Sequence, residues 1–308
     1  MKELEHPFVT AVVATRDRPQ AVAEAAEAIL ANDYPGFELI VVNQGSEDLR
    51  TTSLKRYLDD PRFHLISAEP KGLSSARNTG IAEAKGEIIA ITDDDCEVPS
   101  DWLRGLVTSF SENSRIGIVF GNVLAAIHDK SAGFIPAYVR DKPAMVTSIY
   151  EKHEADGIGA CMGLRQSVWR DLSGFDEMFG VGAPLKANSE GDFVIRALKK
   201  GYFVYETPLV QVVHTGFRTW EQGLSLIPRY WFGTGVMYAK HFKLSPCLTT
   251  RLLSSLAWRW AFGASRVASS LGSDTHKLLR LRSFIEGFAA GMATRVNYVT
   301  GHFVGQND

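Results

Sequence analysis

The sequence predicts an α/β domain, a mostly parallel sheet flanked by helices, followed by a helical C-terminal extension. Three observations carry that prediction. Short β-rich apolar runs alternate with helix-patterned segments across residues 8–98, at the spacing of βαβ units. Polar clusters follow several of those runs, where an open parallel sheet places its ligands. Beyond Trp220 the strand pattern vanishes and helical patterning takes over. At 308 residues and 45% hydrophobic content, the chain can bury the core of one large or two small domains.

The elements follow in order. Phe8 to Ala14 is the first strand and runs into Thr15-Arg16-Asp17-Arg18. Pro19 suits the first turn of a helix over Gln20 to Ala31, which Tyr34-Pro35-Gly36 ends. Phe37 to Val42 is the second strand and leads to Asn43-Gln44-Gly45-Ser46. Asp48 to Leu58 reads as a helix, Phe63 to Ile66 as a short strand and Leu73 to Ala84 as a helix with Lys85-Gly86 at its stop. Gly86 to Pro99 then delivers a buried apolar strand and three adjacent carboxylates, Asp93, Asp94 and Asp95. Three acids in a row resist burial unless positive charge meets them, and a divalent cation carried by a phosphate-rich ligand would do so. A solvated acidic turn is the plain alternative, and the position after a buried strand argues against it.

The second half adds a helix opened by Ser100 or Asp101, a strand over Ile116 to Val123 and a long excursion over 126–156, read as acceptor or lid contacts. Gly157 to Phe179 carries small residues and then an Arg-containing helix. Gly159, Ala160 and Gly163 there allow either close substrate approach or tight sheet packing. A strand-like YFVYETPLVQVV precedes His214, and Arg218 is a phosphate partner by charge. Segments 221–242, 247–271 and 275–300 read as helices. Arg251, Arg259 and Arg266 fall on one helical face beside Trp258 and Trp260. That face suits an anionic membrane surface, packing on the preceding domain or a homo-oligomer contact.

Composition excludes several classes. A net charge of −2 gives no basic excess for nucleic acid. Three cysteines without a CxxC pair argue against a disulfide framework and a structural zinc site, with Cys161 read as a small buried hydrophobe. GxGxxG and GxxxxGK[ST] are both absent. No apolar signal core is read in MKELEHPFV and no spanning segment elsewhere. The expectation is a cytoplasmic protein, with the inner face of the membrane as the peripheral alternative.

Taken together, FVTAVVATRDRP, FELIVVNQGSED, KGLSSARNTGIAEAKGEIIAITDDDC and the later features resemble the family 2 glycosyltransferases over residues 7–216. The resemblance implies the GT-A (nucleotide-diphospho-sugar transferase) fold. It divides the chain into a catalytic domain, 1–218, with a nucleotide-sugar-binding half (7–98) and an acceptor half (99–218), and a C-terminal extension, 219–308. It implies donor contacts from Thr15, Arg16, Asn43, Gln44, Arg77, Asp93 and Asp94, with Asp93 and Asp95 as a DxD motif. Asp95 and His214 would ligate Mg²⁺ or Mn²⁺ bridging the donor diphosphate. Arg77 would pair with the diphosphate or with an acid of the triplet; Asp94 would face the sheet interior or the donor sugar. The SEGDFVIRALKKGY segment aligns Glu190 with the family's general base and Asp192 with the acid after it, Asp192 and Arg196 being spaced for a helical ion pair.

Departures are Asn43-Gln44 in place of a base-binding carboxylate, Ser173 for a glycine and Ser189 for a glutamate. The implied activity is inverting, metal-dependent sugar transfer from a nucleotide sugar to a hydroxyl acceptor (carbohydrate, lipid-linked or other) in polysaccharide or glycoconjugate biosynthesis. A non-catalytic nucleotide-sugar-binding scaffold and a sugar-phosphate nucleotidyltransferase are the alternatives.

Overall fold

The computed structural model describes residues 6–262 and 276–305, with side chains described through residue 257 in the first span. In the N-terminal part, β1 (Val9–Thr15), β2 (Phe37–Asn43), β3 (Phe63–Ser67) and β4 (Ile88–Asp93) pair in parallel, with α1 (Pro19–Leu30) and α2 (Leu73–Ala82) between them. Their Val- and Ile-rich stretches are buried on both faces, as a helix-covered sheet requires. β5 (Cys96–Glu97), α3 (Trp102–Ser111), β6 (Ile116–Ala125), β7 (Gly133–Phe134), β8 (Ala144–Val146), β9 (Met162–Arg165) and α4 (Gln166–Asp171) follow. Then come α5 (Ser189–Lys199), β10 (Phe203–His214) and β11 (Arg218–Thr219).

The main sheet runs β3-β2-β1-β4-β9-β6-β10-β5, and β8 pairs with β10. Short β9 lies antiparallel between β4 and β6 and joins the two halves, so the sheet is mixed at its centre. Register aligns Thr15 with Asn43 and Ala14 with Asp93, which puts three strand ends at one edge. β5 returns antiparallel to β10 and pairs Cys96 with His214. That reversal carries His214 to the acidic turn.

Two element predictions are corrected. Asp48 to Leu58 forms turns with only a 3-10 stretch at Lys55–Tyr57. The Asp48 side chain accepts from the Arg50 amide, and the Thr51 and Thr52 hydroxyls donate to the Asp48 carbonyl; such local bonds compete with helix. The last helix ends at Ala293, after which an Asn297-centred turn brings Val296 opposite Phe303. The excursion over 126–156 is pinned beneath by Glu206, which accepts from Tyr138, Arg140 and the Gly157 amide.

The C-terminal segment supplies α6 (Trp220–Leu244), α7 (Pro246–Phe262) and α8 (Lys277–Ala293). Thr219 and Gln222 form a capping box at the start of α6. Arg251 stacks on Tyr150 at 4.0 Å. Arg266 lies outside the described residues, as do the side chains of Trp258, Arg259 and Trp260. No helix among the described residues is long and apolar enough to cross a membrane.

α6 is locked to the sheet domain by buried charge. The Lys240 ammonium, 0% exposed, sits 2.7 Å from Asp176 and 2.6 Å from Asp192. Asp192 also accepts from Arg196 at 2.9 Å and from the His241 Nε2 at 3.0 Å. Burial pushes the His241 imidazole down to about 4; Asp192 opposes this, while Lys240 and Lys199 add to it. An unfolded histidine titrates near 6.5, so between those values the unfolded chain binds more protons. This contribution to stability is therefore complete above about pH 6.5 and is lost as pH falls towards about 4, a change of roughly 3 kcal/mol. Denaturant titrations at pH 7 and pH 5 should show it. The His241→Gln chain should lose most of the difference, and equal pH slopes in the two chains would remove His241 from the account.

Candidate active site

The carboxyl edge of the sheet gathers four carboxylates around two arginines and a histidine. Asp93 ends β4, and Asp94-Asp95 make the turn into β5. Asp94 is buried and accepts from the Thr15 hydroxyl at 2.7 Å and from Arg18 at 3.0 Å. Asp95 lies 3.0 Å from the same Arg18 nitrogen and 3.1 Å from His214 Nε2. Arg77, on α2 and 2% exposed, bridges the halves: it donates to Asp93 at 3.2 Å and to Glu190 at 2.6 Å. Ser189 donates its hydroxyl to the other Glu190 oxygen at 2.8 Å.

The loop between α4 and α5 sets the Arg77–Glu190 distance. It docks on α2 through Ser74 to the Phe179 carbonyl, the Leu73 amide to the Val181 carbonyl and Asn78 to the Phe175 carbonyl. Gly72, at φ +107°, lets the two backbones touch, since a Cβ there would meet the Ala183 amide nitrogen at 2.9 Å. Gly159 serves the pair directly: a Cβ there would strike the Glu190 carboxylate and the Arg77 guanidinium. Its close approach is to these side chains, and Gly163 packs against Leu106 and Phe110.

These contacts separate the acids electrically. Burial lifts the Asp93 carboxyl above its ordinary value; Arg77 opposes this, while Asp95 and Glu190 reinforce it. Burial also lifts Asp94, with Thr15 and Arg18 in opposition. For Asp95, burial pushes the same way but is outweighed by His214 and Arg18, leaving it lowered. For Glu190, burial is outweighed by the charge and hydrogen bond of Arg77, so its carboxylate is held below the usual glutamate value. A carboxylate kept ionised with its side chain 23% exposed has the protonation state of a base.

Asp95 and His214 fit a divalent cation. Their oxygen and nitrogen donors face each other, and with the Cys96 sulfur they lie within 4.8 Å of one another. The buried Cys96 thiol is a soft donor that Mg²⁺ and Mn²⁺ do not favour, which leaves Asp95 and His214 as the pair that would hold such a cation.

Several expected site residues are placed differently. Asp192 is 0% exposed and its two oxygens are taken by Arg196, Lys240 and His241, so it is a structural anchor with no access to a substrate proton. Asn43 closes its own turn, accepting from the Gly45 amide and donating to the Glu47 carbonyl, and Gln44 donates to the Glu69 carbonyl. Arg16 is exposed and faces Asp17 at 3.7 Å; it does not meet the triplet. Arg18 does, and the only sequence signal for it is a cation three residues after the strand-end Thr15 and directly before Pro19. Arg218 pairs through its backbone with Phe134 in the two-stranded sheet of β7 and β11.

A sequence profile of glycosyl transferase family 2 matches residues 10–172, more than half of the chain. The chain belongs to that family. Among its curated relatives is the glycosyltransferase AglE of Haloferax volcanii, 32% identical over 122 residues, 38% of this chain and 40% of that one. The glucosyl-dolichyl phosphate glucuronosyltransferase of Haloferax volcanii is 30% identical over 132 residues, 42% of each chain. The succinoglycan biosynthesis protein ExoO of Rhizobium meliloti is 37% identical over 102 residues, 33% of this chain and 29% of that one. The matches thus span less than half the length of these relatives. Among solved structures, S. aureus TarS 1-349 superposes with a TM-score of 0.64 at 14% identity, over 91% of this chain and 81% of that one. The mannosyltransferase PcManGT from Pyrobaculum calidifontis, in complex with GDP-Man and Mn²⁺, gives 0.59 at 19% identity, over 94% of this chain and 88% of that one. The family 2 chain has the GT-A fold, a mixed, mostly parallel sheet flanked by helices with a helical C-terminal region.

Proposed function

We propose that this chain is an inverting, metal-assisted glycosyltransferase, moving a sugar from a nucleoside-diphosphate donor to an acceptor hydroxyl in polysaccharide or glycoconjugate biosynthesis. One observation carries the reading: Arg77 ties Asp93 on the donor side to Glu190 on the acceptor side, next to the Asp95–His214 pair. The structural relatives add support, one in complex with GDP-Man and Mn²⁺ and another, S. aureus TarS 1-349, with UDP-GlcNAc.

In the proposed reaction Glu190 removes the acceptor hydroxyl proton as that oxygen attacks the anomeric carbon. The carbon–oxygen bond to the diphosphate breaks with its electron pair, and the nucleoside diphosphate leaves. Asp95 and His214 would hold a divalent cation, which would supply charge neutralisation for that leaving group. With Glu190 as the one base, the scheme is a direct displacement with inversion. Thr15 and Asp94 line the donor end, with Asp94 held by Thr15 and Arg18.

A panel of nucleotide sugars with Mn²⁺, read as release of nucleoside diphosphate, tests this. One donor should stand out, and Asp95→Ala should reduce its turnover about a hundredfold or more, since metal polarisation contributes several kcal/mol. Slow release from every donor, unchanged by Asp95→Ala, would remove the catalytic reading in favour of a binding scaffold.

A further inference from the structure

Arg18 enters the scheme above only by holding Asp94, yet it touches two of the three triplet acids. It stands directly before Pro19 at the start of α1, with its side chain 53% exposed. One nitrogen, Nη1, lies 3.0 Å from both Asp94 Oδ1 and Asp95 Oδ2. Asp95 is also the residue that faces His214. Arg18 meets Asp95 Oδ2 while His214 meets Oδ1, so a cation bound by Asp95 and His214 would share the Asp95 carboxylate with a guanidinium.

Two properties of the group matter. Arg18 is 53% exposed while Asp94 and Asp95 are 7% and 15% exposed, so the guanidinium can turn to a solvent-side partner more readily than the acids can, and Asp95 keeps His214 when it does. A guanidinium carries five N–H donors in a planar fork that matches phosphate oxygens, and the two carboxylates engage only the Nη1 edge. The other N–H groups of Arg18 meet no hydrogen-bonding partner among the described residues, and the side chain is exposed.

We propose that Arg18 is a resident counter-ion of the triplet that competes with a divalent cation for Asp95 and, once displaced, binds the diphosphate of the donor. This rests on the reading of the Asp95–His214 end of the cleft as the metal-diphosphate site. Its consequence is a pair of effects with opposite signs. Without nucleotide, Arg18 weakens cation binding. With nucleotide and cation both present, Arg18 strengthens diphosphate binding.

The experiment uses the full chain and its Arg18→Gln and Arg18→Lys variants. Mn²⁺ binding is read without nucleotide by electron paramagnetic resonance. Binding of UDP and GDP is read by calorimetry at saturating Mn²⁺. Arg18→Gln is expected to bind Mn²⁺ about threefold more tightly and the preferred diphosphate about tenfold more weakly, with Arg18→Lys between it and the wild type. Arg18 is half in solvent, so folding is kept, and a merely structural role would not move the two affinities in opposite directions. Wild-type binding of both ligands, with Mn²⁺ affinity unchanged or weakened in Arg18→Gln or diphosphate affinity unchanged, overturns the role of Arg18 alone. A wild type that takes up neither Mn²⁺ nor a nucleoside diphosphate overturns the reading of the site, and this role with it.

Discussion

Replacing Glu190 with glutamine is expected to lower kcat about a thousandfold, the middle of the range for a lost general base, with donor KM changed only a few-fold. Glutamine keeps the volume of the side chain and an oxygen that can accept from Arg77, so what disappears is the ability to take a proton. Arg77 stays neutralised from its other side by Asp93 at 3.2 Å, which protects the fold. The pair also predicts a pH effect. Glu190 is held low despite its burial, because the Arg77 charge and hydrogen bond outweigh desolvation. The acid limb of kcat/KM should therefore lie below the ordinary glutamate range of about 4.3. Arg77→Lys keeps a charge but loses the fork that meets two carboxylates, so the limb should move up in pH. A Glu190→Gln enzyme that retains more than a tenth of the wild-type rate would show that another group takes the proton.

The same neighbourhood shows what the sequence made legible. Strands such as Ile88–Asp93 could be read because burial on both faces demands continuous β-branched residues, and so could the edge where their polar ends meet. Asp93, Asp94, Asp95, Thr15 and His214 converge as that argument requires. Side-chain allegiance was less legible. Asp192 sits two residues from Glu190 in the same first helical turn, and only the arrival of Lys240 and His241 from α6 turns one acid inward to a structural role. Arg16 and Arg18 flank Asp17, which adopts φ 55°, and such a turn decides which arginine meets the triplet without any compositional trace. Asn43 reads as a ligand because an amide both donates and accepts, and its own turn engages one of its N–H groups and its oxygen. Helical patterning likewise located α6 but could not show a lysine ammonium buried at its far end.

That lysine gives the second large effect. Lys240→Met is expected to cost about 3–5 kcal/mol of unfolding free energy, the usual result of removing one partner from a buried ion pair. Asp176 would keep only the Phe303 amide among the contacts to Oδ2, and Asp192 would keep Arg196 and His241. Total stabilities run from about 5 to 15 kcal/mol, so the loss is a large share, visible as a melting point lower by roughly 10 °C. Asp176→Asn in the Lys240→Met background removes the stranded charge and should recover part of the loss, because Asp192 still has two cationic or polar partners. A loss under about 1 kcal/mol for Lys240→Met would mean that the buried network contributes little and that α6 merely rests on the sheet domain. The expected loss means more than a stabilising contact. Asp176 lies in the loop that docks on α2 beside Arg77, and Asp192 lies on the helix that presents Glu190. Lys240 therefore holds together the two supports of the Arg77–Glu190 pair, and a chain cut after residue 218 would leave both acids buried without it. On this argument the functional unit includes α6, and the boundary at 218 marks a change in secondary structure within that unit.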